Sequence, residues 1–74
     1  MEYSLINIIK EKDGFVDGIW LQNHIGSIET ATKEAKKTEI ANNNRIKVAV
    51  VEDLSYCCPT YNLRKGLKRL DKPN

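Results

Sequence analysis

The stretch Ile46–Val51, IKVAVV, constrains the fold of this chain most, because only this run is dense enough in β-branched residues to form a strand inside a sheet. Successive side chains of a strand point to opposite faces. Ile46, Val48 and Val50 therefore share one face, and Lys47, Ala49 and Val51 share the other. The first face is fully apolar and the second is mostly so, which predicts a strand that is buried on both sides.

Two earlier segments are also predicted to be strands, at residues 3–10 and 15–21. The pair Asp13-Gly14 lies between them and favours a tight turn, so the two segments are expected to form a hairpin. Gly18 in the middle of the second segment indicates a bulge or a flank position. Residues 22–26 are interpreted as a short polar connection that leads into a helix.

A helix is predicted from Ile28 to Ala41, with Ser27 as its N-cap. The asparagines at 42–44 accept left-handed backbone geometry and are expected to end it. Its inward face carries small residues such as Ala31 and Ala35, so the helix is expected to approach the sheet closely. Ile40 falls on the lysine side, so it is expected either in a frayed last turn or in an exposed apolar spot.

The C-terminal segment 62–74 is basic and has leucines at helical spacing. Leu63, Leu67 and Leu70 form one stripe, whereas four cations, Arg64, Lys65, Lys68 and Arg69, lie on the other side. This pattern predicts a short basic amphipathic helix, which Gly66 weakens. The residues between it and the central strand, 54–60, contain Pro59 and are predicted to be irregular.

These elements predict an α+β fold, a single ββαβ(α) domain that spans residues 1–74. Its three-stranded, mainly antiparallel sheet has the expected order 2-1-3, with the order 1-2-3 as the alternative, and the long helix lies on one face. Because one helix covers only one face, the other face must be covered by the C-terminal helix or by a second copy of the protein.

Charge is distributed unevenly along the chain, although the net charge is only +2. Five basic residues and one acid follow residue 62, whereas seven basic residues and nine acids precede it. No apolar run is long enough to span a membrane, and the first residues lack the pattern of a signal peptide. We therefore expect a cytoplasmic protein that does not bind membranes.

No catalytic residue, metal site or cofactor is predicted. His24 is the only histidine, and Cys57 and Cys58 are adjacent, which is not the spacing that brings ligands together around zinc. Glu52 and Asp53 follow the central strand with side chains on opposite faces, so both are expected to be solvated. One alternative remains, a cysteine-dependent enzyme or redox protein that uses Cys57 or Cys58 with His24.

The basic C-terminal segment supports a different alternative, a small nucleic-acid-binding protein. Arg64, Lys65, Lys68 and Arg69 on one helical face would neutralise phosphates of DNA or RNA. The sequence has no helix-turn-helix or RRM signature, and Tyr61 is the only aromatic residue nearby.

The sequence favours a non-enzymatic interaction module that acts as a homodimer or binds another protein. Apolar residues that lie on an uncovered sheet face or helix side are its interface candidates, namely Trp20, Ile40, Leu63 and Leu67. No small-molecule substrate is indicated.

Overall fold

The structure is a computed structural model that describes residues 1–53 and 63–72. In these residues the chain forms four strands and one helix, with an α+β architecture as the sequence predicts. The elements are β1 at Tyr3–Lys12, β2 at Phe15–Ile25, α1 at Ile28–Ala41, β3 at Val48–Glu52 and β4 at Leu63–Lys68.

The strands form one antiparallel sheet in the order β3-β1-β2-β4. The predicted order 2-1-3 is confirmed for the first three strands, and β1 is central because it pairs with both β2 and β3. The predicted number of strands is wrong, since β4 adds a fourth strand along the free side of β2. The hairpin turn lies at Asp13-Gly14, as predicted.

The predicted C-terminal amphipathic helix is wrong, because residues 63–68 form β4. Leu67 pairs with Val16 and Leu63 pairs with Ile19, and a register shift lies between the two pairs. Gly66 occupies this bulge with a φ of +68°, a conformation that glycine adopts without steric cost. The bulge places Leu63 and Leu67 on opposite faces of the sheet, which a regular strand would not do.

Helix α1 is confirmed with the bounds that the sequence predicts. The Ser27 side chain accepts a hydrogen bond from the backbone N–H of Thr30 at 3.2 Å, and Asn43 and Asn44 both have a φ of +57°. Ala31 and Ala35 are buried against the sheet. Among the described residues, no helix has the length and apolar character that crossing a membrane requires.

The predicted alternation of β3 is also confirmed, because its side chains enter two separate cores. We call the sheet face that contacts α1 the outer face and the opposite one the inner face. The outer core contains Leu5, Ile25, Ala31, Ala35, Val48 and Val50. The inner core contains Ile6, Val16, Trp20, Ala49 and Val51.

The inner core is buried within a single copy of the chain. The sheet curls, Leu67 of β4 packs against the inner core, and the segment that follows β4 reaches β3. There the backbone N–H of Leu70 donates to the carbonyl of Val50 at 2.8 Å. The expectation that a C-terminal helix or a second copy must cover this face is therefore wrong, since the curled sheet buries it.

Strand β3 lies at one margin of the sheet, yet two of its outward N–H groups are paired. Its N–H groups at Val48 and Val50 donate to the carboxylates of Glu39, at 2.8 Å, and Asp71, at 3.2 Å. Carboxylates placed in this way occupy the positions that another strand would need.

Strand β2 extends four residues beyond its predicted end, so the predicted connection at 22–26 is wrong. Tyr3 pairs with Ile25 and Leu5 pairs with Gln22, with bulges between these pairs that interrupt the alternation. This extension carries His24 along the sheet to the end at which β1 begins and β3 finishes.

Candidate functional site

Exposed apolar side chains gather on the outer face of β2 and β4, beyond the helix. We call Phe15, Ile19, Leu21 and Leu63 the open apolar patch; each is between 38 and 49% exposed. Helix α1 packs mainly against β3 and β1, so it leaves this half of the outer face open. The location is informative because the remaining large apolar residues of the sheet are mostly buried in the two cores.

One row of cross-strand neighbours shows that α1 shields the outer face less and less from β3 to β4. Val48 of β3, Asn7 of β1, Ile19 of β2 and Leu63 of β4 are paired in that order. Their side chains point to the same face because directly paired residues of antiparallel strands do so. Exposure rises along the row from 1% at Val48 to 38% at Ile19 and 47% at Leu63.

The open apolar patch has charged neighbours at the end where the hairpin turns. Phe15 pairs with Lys12 on one side and with Lys68 on the other. The opposite end of the sheet carries Glu2 and Glu52, which are exposed. These two acids lie at the ends of β1 and β3, so only the hairpin end of the patch is bordered by charged residues of its own strands or their paired neighbours, the two lysines.

Two of the four predicted interface residues remain exposed. Leu63 belongs to the open apolar patch, whereas Ile40 is 67% exposed near the end of α1, as expected from its helical position. Trp20 is buried in the inner core, and Leu67 is half-buried and packs against that core. The indole N–H of Trp20 is buried with no acceptor in the part of the chain described, and the Arg64 guanidinium lies 5.4 Å from the ring centroid.

The four predicted nucleic-acid-binding residues do not form one basic face. Arg69 is buried, and its guanidinium donates to Glu11 at 2.9 Å and to Asp71 at 2.9 Å. Burial lowers the pKa of Arg69, but the hydrogen bonds to Asp71 and Glu11 outweigh that effect and raise it. Arg64 is half-buried over Trp20, so Lys65 and Lys68 are the two of the four that are exposed.

A second cluster lies at the end of the sheet where β1 begins and where β2 and β3 finish. The Nδ1 atom of His24 lies 3.1 Å from Glu2 Oε1 and 3.0 Å from Asp53 Oδ2. The same Asp53 oxygen accepts the backbone N–H of His24 at 2.9 Å. The hydrogen bond to Glu2, together with the charges of Asp53 and Glu2, raises the pKa of His24 above 6.5 despite some desolvation.

Asp53 corrects a further prediction. Its side chain is only 4% exposed, so it is not solvated as expected, whereas Glu52 is exposed. Glu2, His24 and Asp53 each offer one ligand atom, and these atoms all lie within 4.8 Å of one another. They are the residues of the described structure that could hold a metal ion.

Sequence reasoning missed this cluster because its members are 22 and 29 positions away from His24. A signal was present in the strand order. In an antiparallel sheet of order 2-1-3, the start of the first strand meets the ends of the other two. Because the second strand was predicted to end at residue 21, His24 was not placed where these strand ends meet.

Cys57 and Cys58 lie outside the described residues, as do the whole predicted irregular segment 54–60 and Asn62 at the start of the predicted helix. The pairing of either thiol with His24 therefore stays a prediction.

A cleft of about 460 Å³ lies between the second half of α1 and residues 69–72. Its lining includes Lys36, Lys47 and Lys72. The acids Glu39 and Asp71 also line it, and both already accept backbone hydrogen bonds from β3. These acids stabilise the margin of the sheet, which accounts for their position.

No family model, curated protein or solved structure matches this chain.

Proposed function

We propose that this protein is a non-enzymatic interaction module that forms a homodimer through the open apolar patch. The observation that carries the proposal is the set of four half-exposed apolar side chains on the part of the outer face that α1 does not cover. The inner face, which the sequence suggested as the interface, is not used, because its side chains are buried within one copy.

The size of the patch fits a small interface between two copies. Its side chains together expose roughly 350 Å², within the range of the largest apolar patches on small proteins, which are often functional. A standard interface buries about 800 Å² on each partner, and a little over half of that area is apolar. The open apolar patch would supply most of this apolar share.

The apolar composition of the patch favours a second copy, because an apolar surface is complementary to itself. A two-fold axis through the middle of the patch would bring the same apolar side chains of both copies together. Ile19 and Leu63, near the middle of the patch, would pack against the same residues across the axis.

Pairing of sheet margins is a less favourable route to the dimer. The outward N–H groups of β3 at Val48 and Val50 are occupied by Glu39 and Asp71. Strand β4 carries a glycine bulge and exposed lysines, features that oppose the addition of another strand. Packing of one face on another remains the favoured geometry.

Light scattering coupled to gel filtration tests the proposal. We expect a mass near twice the 8.5 kDa of one chain. The double variant Ile19→Asp/Leu63→Asp should be monomeric, because each aspartate would face its own symmetry mate in an apolar contact. The milder Leu63→Ala change should weaken the dimer without this charge repulsion.

Ile40→Asp provides the matched control, because Ile40 is an exposed isoleucine that lies outside the patch. This variant should keep the mass of the wild type, and circular dichroism should show that all variants remain folded. A wild-type monomer at high micromolar concentration, or a double variant that is folded and still dimeric, would overturn the proposal.

A further inference from the structure

We propose that Glu2, His24 and Asp53 form a binding site for one divalent transition-metal ion, such as Zn²⁺ or Mn²⁺. The three residues belong to three segments that meet at one end of the sheet: the residue before β1, the end of β2 and the residue after β3. Nothing in the proposed dimer requires this site, so the two proposals stand independently.

The spacing of the ligand atoms matches that around a bound ion. Two ligand atoms bound to one ion at about 2.1 Å are about 3.0 Å apart at a right angle and about 3.4 Å apart at the tetrahedral angle. His24 Nδ1 lies 3.1 Å from Glu2 Oε1 and 3.0 Å from Asp53 Oδ2. Both distances are close to the separation expected for two ligands of one ion.

The donor set restricts the class of metal. One imidazole nitrogen and two carboxylate oxygens suit Zn²⁺, Mn²⁺ and similar ions, whereas Ca²⁺ and Mg²⁺ prefer oxygen alone. Two negative charges also match the double positive charge of the ion. Because the Asp53 side chain is almost fully buried, its charge gains more from a bound cation than that of a carboxylate in water.

The backbone holds the ligands in place before any ion binds. Asp53 accepts the backbone N–H of His24, and the backbone N–H of Asp53 donates to the carbonyl of Glu2 at 3.0 Å. These two bonds connect the segments that supply the ligands. Hydrogen bonds of this kind orient metal ligands and reduce the entropy that binding must remove.

The site faces solvent on one side. Glu2 and His24 are exposed, so water can complete the coordination. The exposed Glu2 side chain can also move, which would bring its carboxylate oxygen closer to that of Asp53. Three protein ligands with open positions are typical of sites that exchange their ion or bind an additional ligand.

Isothermal titration with ZnCl₂ and with MnCl₂ tests the proposal, at a pH above the His24 pKa that NMR measures, because the neutral imidazole is the ligand. The chain used should carry Cys57→Ser and Cys58→Ser, because two thiols bind zinc on their own. We expect one ion per chain. His24→Asn removes the imidazole and still tolerates the φ of +61° at this position, so it should reduce the affinity at least tenfold.

Glu2→Gln should also weaken binding, whereas Glu52→Gln is the matched control and should bind as the starting chain does, because Glu52 is an exposed carboxylate beside the site. In NMR spectra, Mn²⁺ should broaden the amide signals of residues 2–4, 23–25 and 52–53 first. Absence of binding to either ion would overturn the proposal. Equal affinity in all variants, or broadening centred elsewhere, would also overturn it.

Discussion

At the scale of single residues, the tightest constraint is the contact between Gly18 and β1. A Cβ atom on Gly18 would overlap with the side chain of Ile6 and with the backbone carbonyl of Asn7. The sequence indicated that this glycine was unusual in a strand, but the cause is close packing against β1. Its partner Ile8 lies beside the bulge in β1.

We predict that Gly18→Ala lowers the free energy of unfolding by about 3 kcal/mol, because the carbonyl of Asn7 can move only if β1 moves. Urea unfolding followed by circular dichroism measures this change. Gly26→Ala is the control: no atom lies within 4 Å of the added Cβ, and its effect should stay within about 0.5 kcal/mol. Equal effects of the two variants would contradict the account.

We also predict that NMR titration of the single histidine, with a chelator present, gives a pKa above 6.5 for His24. A raised folded-state pKa means that the protonated ring contributes to stability below 6.5 and that this contribution is lost as the pH rises through the folded-state value. Glu2→Gln should lower the pKa, whereas Glu34→Gln, on the helix, should leave it unchanged. An unaltered pKa in Glu2→Gln would be inconsistent with the observed hydrogen bond.

At the scale of elements, α1 could be predicted from the sequence because its signals are local. Ser27 caps one end and the asparagines at 42–44 end the other, so no distant contact is needed. Strand β4 could not be predicted in this way. Its leucine spacing fits a helix, and its strand conformation depends on pairing with β2, more than 40 residues earlier, and on the bulge at Gly66.

The same distinction explains the errors at the candidate sites. The open apolar patch depends on which strands α1 covers, and that choice is made by packing. Of its four residues, only Leu63 was predicted as an interface residue. Of the carboxylates near His24, Glu2 comes just before β1 and Asp53 comes just after β3. Their proximity to His24 could be predicted only once the length of β2 was known.

For the helix, we predict that Ser27→Ala costs about 1 kcal/mol of stability, because the N–H of Thr30 loses its acceptor at the N-terminus of α1. Ser27→Asp should retain most of the stability, since its carboxylate accepts the same bond and interacts favourably with the helix dipole. Thermal unfolding of the three proteins measures the difference. Equal losses in both variants would show that the cap contributes nothing.

At the scale of the whole molecule, the curled sheet divides the apolar residues between two cores and one surface. Burial of the inner core needs β4, and burial of the outer core needs α1. Both coverings are present in a single chain, so the fold does not depend on a second copy. Association through the open apolar patch would therefore add stability to a chain that is already folded.

This arrangement predicts that the midpoint of thermal unfolding rises with protein concentration, because a dimer is favoured by mass action. The variant Ile19→Asp/Leu63→Asp should have a midpoint that is independent of concentration, and Ile40→Asp should behave as the wild type does. Scanning calorimetry over a hundredfold range of concentration measures this dependence. A constant midpoint for the wild type would argue against self-association.

The paired backbone of β3 has a consequence for larger assemblies. Three backbone groups of β3 along this margin are hydrogen-bonded to Glu39, Asp71 and Leu70. A strand from another copy would need the same groups to pair with β3. Copies of the chain cannot add to this margin by strand pairing unless these three contacts break. Truncation after Lys68 would remove both Leu70 and Asp71, so fibril formation should begin from truncated protein.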